Sequence, residues 1–354
     1  MLYLKQFTDK YNKLLFLLLF VFILAIPFLP GINDYLMHIL ILIILYIILA
    51  LGLNIVTGFT GLLNLGYVGF YGIGAYTSGL LTSKFAMLDS WHSLFGNFMV
   101  VLIIAVINGA LWGIILGAPT LKLTGDYFAI VTFGFSELVI LIITNEIWLT
   151  NGPMGIPGIL PPAIGAYVFI GKKPFYYTIL FLLFAVFHLV YYLQKSHIGR
   201  AWFAIREDEI AAESMGINII KYKIYAFALS AAIGAMAGAF FARWMMFIEP
   251  KMFQFWESII ILCMIVMGGM GSIKGTIIGA IILTSMGEIL REILIQTGLP
   301  IESRHLIYGI IMVLIMRFRP EGLWPAGRTK GELKPETAHI LEYEEESYFE
   351  KREK

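Results

Sequence analysis

"LMHILILIILYIILALGLNIVT", residues 36–57, is a stretch of twenty-two residues without a charged side chain. A helix rises 1.5 Å per residue, so about twenty apolar residues cross the roughly 30 Å hydrocarbon layer of a bilayer. Similar runs recur throughout the 354-residue chain, which is 59% hydrophobic and 14% charged, whereas about 25% of a soluble domain is charged. One very large soluble core does not explain this recurrence. The sequence therefore predicts an all-α, polytopic bundle of membrane helices.

Ten apolar segments are predicted to span the membrane. They lie at about 14–29, 36–57, 62–83, 96–117, 126–145, 175–194, 224–243, 257–271, 277–296 and 303–317. With the N-terminus inside, fourteen Lys and Arg residues fall in inner connections and six in outer ones, and such an excess marks the cytoplasmic side. The prediction is a cytoplasmic N-terminus at 1–13, a transmembrane region at 14–326 and a charged cytoplasmic tail at 327–354.

Composition and motifs argue against several other functions. The net charge of +1 gives no sign of a nucleic-acid partner. The lone cysteine, Cys263, excludes an intrachain disulfide and a cysteine-based zinc site, and the six histidines lack metal-ligand spacing. "GGMGSIKGT", residues 268–276, is not a phosphate-binding loop, because glycine rather than Ser or Thr follows Lys274. We therefore expect neither a cofactor nor an enzymatic site on this chain.

The densest glycine cluster is "GLNIVTGFTGLLNLGYVGFYGIGAYTSGLL", residues 52–81. A bilayer tolerates so much glycine only where the exposed backbone is buried in protein or lines a wet cavity. The pattern predicts a break at residues 57–61, and the candidate path residues are Asn54, Gly58, Gly61 and Asn64. Two interpretations remain open: an interrupted helix that lines a permeation path, or close packing through small residues. Packing alone is expected for the simpler stripe of Gly109, Gly113 and Gly117.

Charged side chains within the predicted spans are informative, because each costs a few kcal/mol unless it is paired or hydrated. Glu288, Arg291 and Glu292 have i, i+3 and i+4 spacing, and an internal Glu288–Arg291 pair is the favoured interpretation. Glu137 lies near the middle of the fifth predicted span and has no partner in its own helix. It therefore requires either a polar pathway or a bond to another helix, and Glu137 is the fifth candidate path residue.

A dense charged segment, "GRAWFAIREDEIAAESMGINIIKYK", occupies residues 199–223 between two apolar spans. Asp208–Met215 is predicted to be a short helix, because its acidic start suits the positive end of the helix dipole and Gly216 provides a stop. Its apolar side comprises Ile210, Ala211, Ala212 and Met215. So short a helix needs a partner surface, and an acidic helix does not suit a membrane surface. A protein partner on the cytoplasmic side is therefore expected.

"GRAWFAIREDEIAAESMGIN" resembles the EAA-type cytoplasmic loop of ATP-binding-cassette importer permeases, and more specifically of the LivM-type permeases of branched-chain amino-acid importers. Further stretches that match this family are "GLNIVTGFTGLLNLGYVGFYGIGAY" (52–76), "LTGDYFAIVTFGFSELV…TNGPMGI" (123–156), "ESIIILCMIVMGGMGSIKGTIIGA" (257–280) and "FRPEGLWP" (318–325). The resemblance covers most of the chain in the same order. It departs at Tyr67, where relatives often carry another polar residue, and in a longer acidic tail.

The resemblance implies a permease that works only with other proteins in the inner membrane of a prokaryote. Two cytoplasmic ATPases, which bind ATP and Mg²⁺, would act on a coupling helix within the loop at about 195–223. Its residues would be Arg206, Glu207, Asp208, Glu209, Ala211, Ala212, Glu213, Met215 and Gly216. A second, homologous permease would complete the path, and an extracytoplasmic substrate-binding protein would dock near residues 146–174.

Three other functions are considered beside an importer of branched-chain or related hydrophobic amino acids. Permeases for urea and short amides resemble this family closely. A different class is an ion-coupled secondary transporter that uses Glu137, Glu288 and Arg291 as ion or proton carriers. The hypothesis of an ion-coupled transporter leaves the acidic cytoplasmic helix without a role. The third is a membrane scaffold that moves no substrate.

Overall fold

The protein is an almost entirely helical bundle. A computed structural model describes residues 23–28, 33–83, 97–120, 125–164, 167–169, 171–298, 300, 303–319 and 321–325. Three predicted regions lie outside these residues: the N-terminus at 1–13, most of the first span at 14–29, and the tail at 327–354.

Twelve α-helices are numbered in the described part of the chain. They are α1 Asp34–Asn54, α2 Tyr67–Thr82, α3 Phe98–Thr120, α4 Asp126–Asn145, α5 Ile147–Thr150, α6 Lys172–Lys195, α7 His197–Glu207, α8 Glu209–Ser214, α9 Ile219–Met245, α10 Phe255–Gly268, α11 Ile273–Thr297 and α12 Ser303–Phe318. Two short antiparallel strand pairs accompany them: β1 Ile156–Pro157 with β4 Phe247–Ile248, and β2 Ala163–Ile164 with β3 Tyr167–Val168.

Six helical segments of the described chain are long and apolar enough to cross a membrane. They are Asp34–Phe59, Phe98–Thr120, Tyr127–Asn145, Lys172–Lys195, Ile219–Met245 and Pro250–Gly268. The remaining spans predicted for this part of the chain are also helices. α2 and α12 have 16 residues each, and α11 has 25 residues but carries Glu288, Arg291 and Glu292. The predicted all-α polytopic bundle is confirmed.

α9 lies at the centre of the bundle and packs against α1, α2 and α3. Its contact with α3 depends on small residues. A Cβ added at Gly109 would come within 2.8 Å of the Ala231 carbonyl oxygen, and one at Gly113 within 2.7 Å of the Ala231 Cβ. In a membrane, where apolar burial does not drive helix association, such close approach stabilises the contact through van der Waals packing. The packing role predicted for Gly109 and Gly113 is confirmed.

The connections between the helices gather at two opposite ends of the bundle. At one end, the charged segment between α6 and α9 lies beside the segment after α1, and Arg206 Nη1 donates to Gly58 O (2.5 Å). At the other end, near the β1–β4 pair, Lys172 Nζ at the start of α6 donates to Asp34 O (2.7 Å). We name these the charged-loop end and the strand end. The long helices run between them, as expected of helices that cross a bilayer.

Candidate functional site

The predicted interruption between the second and third spans is present but lies later than residues 57–61. α1 continues as a π-helical turn, Ile55–Phe59, and residues 60–66 are not helical. The π turn keeps Gly58 within the helix, while Gly61 adopts a φ of +75°, a conformation that favours glycine. Single π turns occur frequently at functional sites.

Both predicted asparagines are fully buried in this interruption. Asn54 Oδ1 accepts from the backbone N–H of Gly271 (3.0 Å), which ties α1 to the α10–α11 turn. Asn64 Oδ1 accepts from Gly66 N (3.0 Å) and holds the loop before α2. Within the described chain, four buried polar atoms of this segment have no hydrogen-bond partner: Asn54 Nδ2, Thr57 Oγ1, Asn64 Nδ2 and Tyr67 Oη. Each such atom costs about 1–3 kcal/mol, so their concentration here indicates a role beyond packing.

The charged segment forms two short helices, α7 and α8, rather than one. The backbone of Asp208 is extended (φ −157°, ψ 116°) and separates them. Its side chain caps α8 by accepting from Ala211 N (2.9 Å), and Gly216 follows the helix with a φ of +84°. The predicted stop at Gly216 is confirmed, whereas the helix is Glu209–Ser214, one residue shorter at each end than predicted, and Arg206 and Glu207 belong to the preceding helix.

α8 turns two of its predicted contact residues toward its own chain. Glu209 Oε1 accepts from Lys223 Nζ at 2.6 Å, and the Lys223 side chain is only 1% exposed. Ala212 is buried as well, so it does not belong to an exposed apolar side. Ile210 and Met215 point outward and are 79% and 75% exposed. The outward residues, which we name the α8 surface, are Ile210, Ala211, Glu213, Ser214, Met215 and Gly216.

The Glu209–Lys223 pair predicts that α8 loosens when the carboxylate is removed. Glu209→Gln leaves the buried Lys223 ammonium without its counter-charge, which costs about 2 kcal/mol here because Glu209 is partly solvated. Hydrogen exchange of the α8 amides should accelerate roughly thirtyfold, as that free energy implies. Glu213→Gln, on the exposed side of the same helix, should change exchange by less than about threefold. Equal exchange in the two variants would contradict a bracing role for Glu209.

Arg206 connects the charged segment to the interrupted helix. Its Nη1 donates to the Gly58 carbonyl oxygen (2.5 Å) across a sequence separation of 148 residues. A Cβ added at Gly61 would lie 3.0 Å from Arg206 Cγ, and one at Gly271 would lie 2.7 Å from Nη1. Gly61 and Gly271 therefore leave room for the Arg206 side chain, and Gly58 contributes the carbonyl oxygen that accepts its hydrogen bond. The charged segment and the interrupted helix, which are far apart in sequence, are therefore in direct contact.

Aromatic rings reinforce this connection. The Phe59 ring, at the end of the π turn, packs against Trp202 of α7 (centroids 6.4 Å apart, 21° between planes) and Phe203 (5.2 Å, 52°). Trp202 Nε1 in turn donates to Tyr222 O at the start of α9 (2.8 Å). α7 is thus fixed between the end of α1 and the start of α9. A displacement of α7 cannot occur without moving the π turn or breaking these contacts.

Glu137 is not part of this cluster. α4 contacts the interruption through Thr132, whose Oγ1 accepts from Leu65 N (3.2 Å). Thr132 and Ser136 face the bundle and are buried, whereas Glu137 is exposed on the opposite side of α4. The carboxylate therefore points away from this chain, and any partner it has must come from outside the described residues.

The charges of α11 are arranged as predicted. Arg291 Nη1 and Glu288 Oε2 form an ion pair at 3.6 Å, and Tyr35 Oη donates to the same carboxylate oxygen (3.4 Å). The predicted internal brace is confirmed. Across the described residues, no group of three or more His, Cys, Asp or Glu side chains is placed to hold a metal ion.

The bundle and its charged loop define a multi-pass membrane protein of the transport permease class. The chain belongs to the family described as "Branched-chain amino acid transport system / permease component", whose model matches residues 35–316.

Individual relatives agree with this assignment. The chain is 38% identical to the high-affinity branched-chain amino acid transport system permease protein LivM of Escherichia coli K12, over 91% of this chain and 77% of the relative. It is 29% identical to the probable branched-chain amino acid transport permease protein LivM of Methanocaldococcus jannaschii, over 79% of this chain and 90% of the relative. The E. coli K12 permease LivH is 25% identical over 78% of this chain and 90% of the relative.

Proposed function

We propose that the chain is the transmembrane permease subunit of an ATP-binding-cassette importer for branched-chain or related hydrophobic amino acids. The observation that carries the proposal is the contact between Arg206 and Gly58, which joins an exposed charged loop to an interrupted membrane helix. Such a connection suits a subunit whose membrane helices are moved by a protein outside the membrane. Membership of a family of transport permeases supports the same function.

The α8 surface is the proposed contact with the ATPase subunits. Ile210 and Met215 supply apolar side chains that can enter a groove, and the surrounding carboxylates favour a partner with basic residues. ATP and Mg²⁺ bind to those separate subunits, and this chain hydrolyses no nucleotide. Movement of the ATPases displaces α8 and α7, and Arg206 transmits the displacement to the π turn.

The charged-loop end is proposed to face the cytoplasm, together with both termini, as the distribution of basic residues predicts. The strand end then faces outward and offers residues 146–174 to a substrate-binding protein. Trp148 and Met154, each 78% exposed, lie in this segment, and exposed aromatic and methionine side chains are typical of protein contacts. The translocation path, completed by a second permease, includes Asn54, Gly58, Gly61 and Asn64, whereas Glu137 lies on the outward side of α4, away from them.

The other functions have less support. The relatives described above are named for branched-chain amino acid transport, which favours that substrate class over urea or short amides. An ion-coupled transporter would need carriers along one path, yet Glu288 and Arg291 neutralise each other in an ion pair and Glu137 lies on the outward side of another helix. A scaffold that moves no substrate leaves the polar interruption of α1 without a role.

Uptake of labelled leucine into vesicles tests the proposed function. The chain is reconstituted with its companion permease, the ATPases and the binding protein, and uptake should require ATP and every subunit. Ile210→Glu should weaken ATPase binding and uptake at least tenfold, because a charge replaces an apolar side chain at the contact. The matched Ile210→Met variant keeps an apolar side chain and should stay within about threefold of the unaltered protein.

Two outcomes would contradict the proposal. Uptake of leucine by this chain alone, driven by an ion gradient without ATPases, would establish the secondary transporter. Unchanged ATPase binding by Ile210→Glu would remove the assigned role of the α8 surface.

A further inference from the structure

The outward face of α4 is apolar but carries one acidic residue, Glu137. Ile130, Leu138 and Leu141 are 63%, 58% and 55% exposed, as expected for a surface in contact with hydrocarbon. Glu137 is exposed among them. It lies about 16 Å along the axis from the start of α4 and about 12 Å from its end, at 1.5 Å per residue. The carboxylate is therefore far from either membrane surface.

α3 provides an exposed apolar surface for comparison. Its exposed side chains include Ile103, Ile107, Leu111 and Ile115, and Phe98–Thr120 contains no charged residue. An ionised carboxylate in contact with lipid is strongly unfavourable, and intramembrane charges normally face protein or water. Between Ile130 and Ile142 the exposed side chains of α4 are thus apolar except for Glu137.

We infer that this face of α4 binds the companion permease subunit, with Glu137 accepting a hydrogen bond from a donor side chain of that subunit. The inference rests on the proposed function, which requires a second permease. Gly134, one turn before Glu137 and Leu138, has no atom of the chain within 4 Å of an added Cβ. A glycine on an open face lets another helix approach closely, which stabilises helix pairing in membranes.

The occupant is a homologous permease of different sequence rather than a second copy of this chain. A copy docked through the same face would bring a second Glu137 to the interface, and two neighbouring carboxylates in a medium of low polarity repel each other. The relatives include permeases of both LivM and LivH type. A companion that offers a basic or hydroxyl donor opposite Glu137 satisfies the carboxylate without this repulsion.

Photo-crosslinking in the assembled complex tests the inference. A photoreactive amino acid is placed at Leu138 or Leu141 of α4 and, as matched controls, at Ile107 or Leu111 of α3, which are similarly exposed. The α4 positions should form a covalent product with the companion permease at least ten times more often than the α3 positions, which should label lipid. Lipid labelling alone at α4, equal labelling on both helices, or linkage of this chain to itself would overturn the inference.

A substitution at Glu137 provides a second readout. Glu137→Leu should reduce retention of the companion permease on size-exclusion chromatography about tenfold, whereas Glu137→Gln, which still accepts a hydrogen bond, should lose less. A face in contact with lipid would show the opposite result, because leucine would then leave pairing intact and stabilise the chain. Neither the crosslinking nor the retention measurement depends on leucine uptake. If the α4 positions crosslink to the companion permease but the complex shows no ATP-driven uptake, the proposed function is overturned and the inference about α4 stands.

Discussion

Arg206→Ala is expected to reduce ATP-driven uptake roughly 10- to 150-fold while leaving the complex assembled. The guanidinium makes a charge-assisted hydrogen bond to Gly58 O (2.5 Å), and bonds of this kind contribute about 1.5–3 kcal/mol. It also fills the space between Gly61 and Gly271. Alanine removes this hydrogen bond, so movement of α8 reaches α1 mainly through the ring contacts of Phe59 with α7 and is transmitted less effectively.

Arg200→Ala is the matched control for this prediction. Arg200 lies in the same helix, but its Nη1 donates to the nearby Lys195 O (3.1 Å) and does not contact α1. Uptake by this variant should remain within about twofold of the unaltered protein. Both variants are measured in vesicles that hold the full set of subunits. Unimpaired uptake by Arg206→Ala would show that the contact does not transmit motion.

Gly58→Ala is expected to destabilise the isolated chain by about 2–4 kcal/mol. The added Cβ would overlap Asn54 Oδ1 and lie 2.6 Å from Gly271 N, the two partners of a buried hydrogen bond. Overpacking typically costs 1–3 kcal/mol, and a lost buried hydrogen bond adds a similar amount. Thermal unfolding in detergent should therefore shift downward by about 3–5 °C.

Gly134→Ala provides the control for an ordinary helical glycine. No atom of the chain lies within 4 Å of a Cβ at this position, so alanine should stabilise α4 by up to about 1 kcal/mol in the isolated chain. A Gly58→Ala protein as stable as the Gly134→Ala protein would mean that the π turn has room for a side chain. The claim that α1 and the α10–α11 turn pack tightly at Gly58 would then be wrong.

The sequence predicted the membrane helices well, because bilayer thickness fixes the length of an apolar span. It misplaced the start of α2, which was predicted at residue 62 and lies at Tyr67. The intervening residues, "LLNLG" at 62–66, are nearly as apolar as a span. Hydropathy therefore includes them, although their backbone is not helical.

The candidate site was predictable where local chemistry determines it. Gly216 carries a stop signal and follows the helix as predicted, whereas Asp208, predicted as the first helical residue, is the N-cap one position before the helix. The partner of Glu209 is Lys223, 14 residues later and on another helix, and no local rule predicts that pair. Arg206 is followed by three acidic residues, which favours a local ion pair, so its bond to Gly58 was missed.

The sequence also did not predict that Glu137 lies on the outward side of α4. In a soluble helix the apolar side faces the core, but a membrane helix is apolar both toward the bundle and toward lipid. Buried Thr132 and Ser136 occupy the inner side of α4, and small hydroxyl residues of this kind are common at contacts between membrane helices. Thr132 and Ser136 were therefore the sequence feature that could have identified the side of α4 that faces the bundle.

The number of leucine molecules taken up per ATP hydrolysed tests the link between the α8 surface and the interrupted helix most directly. We predict that Arg206→Ala retains ATP hydrolysis, since the α8 surface is unchanged, while the ratio of uptake to hydrolysis falls at least tenfold. A ratio equal to that of the unaltered protein would contradict transmission through Arg206 and Gly58.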